Sequence, residues 1–122
     1  MSLTVLIAED EPMIGRILAE KLTREGHTVV RVATSAALTE AVGSCDIALV
    51  DMTLDDDGID AMRRLIDAGA RPRIGWFAML ESRAAGEGGR AVRAGAAGVI
   101  LKPFKPTAVA AQVSALVEAL AR

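Results

Sequence analysis

Four side chains scattered through the sequence have the types that phosphate chemistry needs: the adjacent acids Glu9 and Asp10, then Asp51, then Lys102. Carboxylates gathered in one cleft repel one another, which raises their pKa values unless a cation joins them. Oxygen ligands with room for water suit Mg2+, an octahedral ion that commonly links carboxylates to a phosphate. A lysine facing them supplies a fixed positive charge for phosphate oxygens. An aspartate in that setting is a credible nucleophile, because a carboxylate forms an acyl phosphate when charge on the transferring group is neutralised. Asp51 is the candidate phosphoacceptor, and Lys102 the candidate phosphate contact. Glu9, Asp10 and Asp51 are candidate metal ligands, with the backbone carbonyl of Thr53 as a further one.

These groups meet only if the elements carrying them end at one edge. Each follows a short apolar run: Val5-Leu6-Ile7-Ala8 precedes Glu9, Ile47-Ala48-Leu49-Val50 precedes Asp51, and Val99-Ile100-Leu101 precedes Lys102. Continuous runs of this length are the pattern of strands covered on both faces. Thr28 to Val32, rich in β-branched residues, reads as another strand. Arg73 to Met79 reads as a fourth, weakened by Gly75 inside it.

Helical periodicity fills the intervals. Asp10 reads as a cap with Pro12 in the first turn, ahead of a stripe of Ile14, Ile17, Leu18 and Leu22 that Gly26 ends. Thr34-Ser35 opens a second helix with Leu38, Ala41 and Val42 on its apolar face, closed by Gly43. A third carries Ile59, Met62, Leu65 and Ile66 up to Gly69, and the last carries Val109, Val113, Leu116, Val117 and Leu120. Between them, a helix from Arg83 to Ala94 would be the least stable of the set, since Gly86, Gly88 and Gly89 each cost ~1 kcal/mol relative to Ala.

Five strand-then-helix units with short connections make a doubly wound α/β domain, a parallel five-stranded sheet with helices on both faces. Functional residues in such a sheet gather at the carboxyl ends of the strands, where strand order reverses. The acids after the first and third strands and the lysine ending the fifth all project from that edge.

Composition bounds the rest. At 122 residues, with 52% hydrophobic and only 2% aromatic, the chain is expected to form one domain over residues 1–122 with an aliphatic core. A net charge of −2 without a long run of one sign argues against direct nucleic-acid binding. The lone Cys45 excludes an internal disulfide and reads as a small core residue in a cytoplasmic protein. The N-terminal apolar run is too short for a signal peptide or a membrane span. His27, at a turn, is expected to be exposed, and Trp76 and Phe77 to pack in the core.

Glu9-Asp10-Glu11-Pro12, Asp51 after an apolar strand, Gly95-Ala96-Ala97-Gly98 and Lys102-Pro103-Phe104 together resemble the receiver domain of two-component response regulators. The resemblance covers nearly the whole chain, and the order of the elements on five βα units makes it specific. It implies a flavodoxin-like strand order of 2-1-3-4-5 and Mg2+-dependent transfer of a phosphoryl group from a histidine kinase or phosphotransfer protein to Asp51. It also implies slow self-hydrolysis at most, a Lys102 contact to the phosphate, and a cis Lys102-Pro103 bond. The partners it implies are that kinase, a downstream protein or effector domain outside this chain, and a homodimer.

The chain also departs from the pattern. The family usually places Ser or Thr at the end of the fourth strand, where this sequence is read as having Phe77 or Ala78, and often an aromatic in the fifth, where it has Val99. The stretch Thr53 to Gly58 is one residue shorter than the commonest spacing and lacks a proline. Its carboxylates Asp55, Asp56 and Asp57 read first as a solvated turn and helix cap. These departures motivate an alternative, a phosphorylation-independent interaction module. An aspartate-dependent phosphohydrolase fits less well, because Asp51-Met52-Thr53 lacks a second acid at the position such enzymes use.

Overall fold

The computed structural model describes residues 2–55, 57–81 and 86–120. The chain alternates strand and helix: β1 Thr4–Ala8, α1 Pro12–Arg24, β2 Thr28–Val32, α2 Ser35–Ala41, β3 Ile47–Asp51, α3 Gly58–Asp67, β4 Gly75–Glu81, α4 Gly88–Arg93, β5 Gly98–Lys102 and α5 Pro106–Leu120. The five strands pair in parallel in the order β2-β1-β3-β4-β5. This is the flavodoxin-like doubly wound arrangement, and its strand order reverses between β1 and β3, the strands that lead into Glu9 and Asp51.

Side-chain alternation divides the sheet into two covered faces. Val5, Ile7, Ile47, Leu49, Phe77, Met79 and Ile100 pack with Leu18 and Leu22 of α1 and Val109 and Val113 of α5. Leu6, Ala8, Ala48, Val50, Trp76, Ala78 and Leu80 pack with Leu38 of α2, Ile59, Met62 and Leu65 of α3, and Ala91 of α4. Fully burying each such Leu, Ile or Met contributes roughly 1.5–3 kcal/mol. Both faces of β3 are therefore apolar until its last residue, Asp51.

Local chemistry sets the ends of the elements. Gly26 and Gly69, at φ +92° and +83°, follow α1 and α3 in the left-handed region that favours glycine. Thr34 caps α2 by accepting the Ala37 N–H, and Asp57 caps α3 by accepting the N–H groups of Ile59 and Asp60. The cap of α1 is Glu11, whose carboxylate accepts the Met13 N–H, in place of the expected Asp10.

Three further expectations are corrected. β4 extends to Glu81, two residues past Met79, so Phe77 and Ala78 lie inside the strand. The helix expected from Arg83 is observed only over Gly88–Arg93, with 83–85 outside the described residues. His27 is half-buried, and its Nδ1 accepts the Leu3 N–H at 3.2 Å. Cys45, Trp76 and Phe77 are buried as expected, and the Lys102-Pro103 bond is cis.

The short connection from β3 to α3 depends on one glycine. The Gly58 N–H donates to the Met52 carbonyl at 2.7 Å, and a Cβ at Gly58 would collide with the Asp51 carbonyl and the Met52 Cα. The obstacle is backbone, so the strain has no flexible side chain to absorb it. Gly58→Ala is expected to destabilise the domain by about 1–3 kcal/mol, as overpacking does. Gly43→Ala, where the added methyl meets nothing within 4 Å, is expected to be near neutral, and urea denaturation of both variants checks the contrast.

Candidate functional site

Three strand ends meet at the carboxyl edge. Asp51 is the last residue of β3, Lys102 the last of β5, and Glu9 follows β1 directly. The Glu9 N–H donates to the Val32 carbonyl, and the Met52 N–H to the Met79 carbonyl, so the sheet pairing continues past both acids and fixes their backbones. Among the described residues the buried charged side chains are these three, at 6% exposure for Glu9, 3% for Asp51 and 7% for Lys102.

The lysine bridges the two acids. Its Nζ donates to Glu9 Oε2 at 2.8 Å and lies 3.3 Å from Asp51 Oδ2. The remaining carboxylate oxygens are also engaged: Glu9 Oε1 accepts the Glu11 N–H at 3.1 Å, and Asp51 Oδ1 accepts both the N–H and the hydroxyl of Thr53 at 3.1 Å. The two oxygens of Asp51 are thereby distinguished, one held by Thr53 and the other facing Lys102.

Charge at the site is unevenly satisfied. Burial, reinforced by repulsion from Asp51, pushes the Glu9 carboxyl up to about 7 in spite of the bond from Lys102. Burial alone pulls the Lys102 ammonium down, but its bonds and attractions to Glu9 and Asp51 outweigh that, and its pKa is raised. The difference follows from the count: Asp51 supports the lysine's charge and opposes the glutamate's. A site with one ammonium and several carboxylates has room for another cation.

The residues fit a hard divalent ion. Single carboxylate oxygens of Glu9, Asp10 and Asp51 lie within 4.8 Å of one another, with Asp10 exposed to solvent. An all-oxygen donor set with an open side suits Mg2+ rather than a soft metal. A cleft of about 250 Å³ lined by Glu9, Asp10, Pro12, Arg31, Val32 and Ala33 opens beside it.

Sequence spacing brings Glu9, Asp10, Asp51, Thr53 and Lys102 into this one region, but it misplaces the end of the fourth strand. The register pairs Asp51 with Met79 and Lys102 with Glu81. The residues at the rim of β4 are consequently Leu80 and Glu81, in place of Phe77 or Ala78, and neither carries a hydroxyl. Leu80 is buried, and Val99 packs on the same face of the sheet.

The acidic stretch after Asp51 is also tied down. Asp55, at φ 35°, accepts from the Ser35 N–H and, at 2.6 Å, from the Ser35 hydroxyl at the start of α2. Asp57 caps α3 through Oδ1 and accepts from Arg90 of α4 through Oδ2 at 2.6 Å. Burial pushes the Asp57 carboxyl up, but the Asp60 amide and Arg90 outweigh it and hold it below the usual range. Asp56 lies outside the described residues. Gly58, Leu80, Glu81 and Arg90 were not singled out from spacing. The length of β4 was the one available signal for the rim residues, and no local pattern connects Arg90 to Asp57.

The comparisons agree with this geometry. Residues 5–114 match the family described as response regulator receiver domain. A transcriptional regulatory protein of Mycobacterium tuberculosis, TcrA, is 41% identical over 64 residues, 50% of this chain and 25% of that protein. The chain thus matches about a quarter of the length of that curated relative. Among solved structures, the receiver domain of the Francisella response regulator 1452 superposes with a TM-score of 0.86 at 16% identity, covering 97% of this chain and 98% of that one. The receiver domain of TorR, the response regulator of a TMAO respiratory system, gives 0.83 at 26% identity over 93% and 95%. No described helix is long and apolar enough to cross a membrane. With its strand order, its acidic pocket and its family match in agreement, the chain belongs to the response regulator receiver domain family.

Proposed function

We propose that this receiver domain is a phosphoacceptor, taking a phosphoryl group from the phosphohistidine of a histidine kinase or phosphotransfer protein onto Asp51. The observation that carries the reading is the buried Lys102 ammonium placed between Glu9 and Asp51. Asp51 Oδ2 is the nucleophilic oxygen: it forms the new O–P bond as the P–N bond of the donor breaks, and the imidazole nitrogen leaves with the electron pair and takes a proton. Thr53 holds Oδ1, which becomes the carbonyl oxygen of the acyl phosphate. Lys102 stabilises the oxygens of the transferred group.

Glu9, Asp10, Asp51 and the backbone carbonyl of Thr53 are the proposed ligands of Mg2+. When bound, the ion supplies charge neutralisation at the phosphate oxygens. Asp10 holds negative charge at the mouth of the cleft, and Lys102 keeps the charge of Glu9 and Asp51 partly compensated when no phosphoryl group is present. The output is a change in binding to a downstream protein, an effector domain or a second copy, in the cytoplasm. Self-hydrolysis of the acyl phosphate limits its lifetime.

Incubation with acetyl phosphate and Mg2+ is expected to add one phosphoryl group, mapped by mass spectrometry to Asp51. Asp51→Asn is expected to add none, and equal incorporation by that variant would reject the reading. A second expectation follows from Glu9. In the metal-free protein its raised pKa contributes stability that is fully present below the unfolded value of 4.5 and lost as pH rises through about 7. Thermal unfolding without Mg2+ should therefore move to lower temperature from about pH 5 to about pH 8, and Mg2+ should restore it most at the alkaline end. A Glu9→Gln variant should lose that pH dependence.

A second reading is favoured by one observation, the apolar Leu80 and Val99 where the family usually has a hydroxyl and often an aromatic. In it the fold binds its partner without phosphorylation. It predicts that Asp51→Ala leaves partner affinity unchanged, and a tenfold or larger loss, about 1.4 kcal/mol, would count against it.

A further inference from the structure

The phosphoacceptor lies at one end of a chain of polar contacts that reaches α4. Gly58 abuts the Asp51 carbonyl and donates its N–H to the Met52 carbonyl. Its neighbour Asp57 uses Oδ1 to cap α3 and Oδ2 to accept from Arg90 Nη2 at 2.6 Å. The same nitrogen donates to Asp60 Oδ1 at 2.9 Å, and Nη1 lies 3.5 Å from Glu87 Oε2. One guanidinium on α4 is thus surrounded by three carboxylates, two of them from the first residues of α3 and its cap. Arginine's fork presents Nη2 to Asp57 and Asp60 and Nη1 to Glu87 at once, a spread that lysine's single ammonium covers only in part.

The helix it holds is loosely built. α4 has six residues, begins with two glycines and buries Ala91. Its first residue, Gly88, faces Val99 on β5, and it displays Val92 at 55% exposure. A displacement of α4 therefore moves an exposed apolar side chain. The side chains of Leu80 and Val99 offer no hydrogen bond with which to transmit a change from the β4 rim, whereas the Arg90 contacts run directly into the loop that begins at Asp51.

We infer that Arg90 is a positioning residue that couples α4 to the phosphoacceptor loop, so that phosphoryl transfer to Asp51 and the placement of α4 are linked through the Arg90–Asp57–Asp60 clasp. This rests on the phosphoacceptor reading above. Linkage requires reciprocity: if the phosphorylated loop prefers one placement of α4, loosening α4 must change the affinity of the site for a phosphoryl mimic by the same factor.

The test is hydrogen–deuterium exchange with and without beryllofluoride and Mg2+, read separately over residues 52–60 and 88–93. The proteins are wild type, Arg90→Met and Arg90→Lys, each checked for folding by Trp76 emission. In wild type both segments should respond. In Arg90→Met the loop should respond while the α4 response is lost, and affinity for beryllofluoride should change about fivefold or more. Arg90→Lys should fall between them, which keeps the test decisive if the methionine variant folds poorly. A full α4 response in Arg90→Met or Arg90→Lys overturns the coupling, as does a wild-type protein whose loop responds and whose α4 does not. A wild-type protein in which neither segment responds, and in which Asp51 takes up no phosphoryl group, instead overturns the phosphoacceptor reading on which the coupling stands.

Discussion

The buried ammonium of Lys102, shared by Glu9 and Asp51, is the interaction on which the rest of the site depends. Removing three charges from water costs several kcal/mol per ion unless they compensate one another at close range. The compensation requires three strands to end at one edge with their last side chains on one side, which a parallel sheet supplies and an antiparallel one does not. Register then sets the fit. Lys102 pairs with Glu81 and Asp51 with Met79, so β4 lies between the lysine and the aspartate in the sheet, and the long lysine side chain is the one able to reach back across it to Asp51 and Glu9.

The same cluster explains why the site is incomplete as charge. One ammonium facing Glu9 and Asp51, with Asp10 at the rim, leaves the carboxylates in excess, and Glu9 registers the excess by holding its proton up to about 7. A cation would relieve the repulsion, and in the proposed phosphotransfer a phosphoryl group beside it would add acceptors for Lys102. The site is thus preorganised for a charged visitor by repulsion that folding leaves unresolved. The packing beneath it is unaffected, since the residues preceding Glu9, Asp51 and Lys102 are aliphatic.

Much of this was legible in the residue order because the strands announce themselves as continuous apolar runs, and the first polar residue after a run marks the edge. That rule found Glu9, Asp51 and Lys102. Applied to β4 the same rule leads through Leu80 to Glu81, the observed end of the strand, whereas a boundary at Met79 with Phe77 or Ala78 at the rim stops short of that first polar residue. It could not separate Asp10 from Glu11 as the cap of α1, since both are acids one position apart. Asp10 was the better cap by propensity, but the backbone turns one residue later and leaves Asp10 at the cleft. The Arg90 clasp was not legible at all, because its partners lie some thirty residues away and no periodic pattern links an arginine on a glycine-rich segment to a helix cap.

The departures from the family pattern have a common physical sense. A hydroxyl and an aromatic work as a relay because one changes hydrogen-bond partner and the other changes rotamer. Leu80, fully packed, and Val99, stiff at χ1, have neither freedom. Where Leu80 at the β4 rim is apolar, the loop after Asp51 is polar and short: Asp55 is tied to α2, Asp57 to both α3 and α4, and Gly58 is pressed against the Asp51 carbonyl. A short loop with both flanks anchored cannot absorb a displacement at Asp51 by bending freely. The displacement must be taken up by the elements to which it is anchored, and α4, six residues long with Ala91 as its buried side chain, has little packing with which to resist.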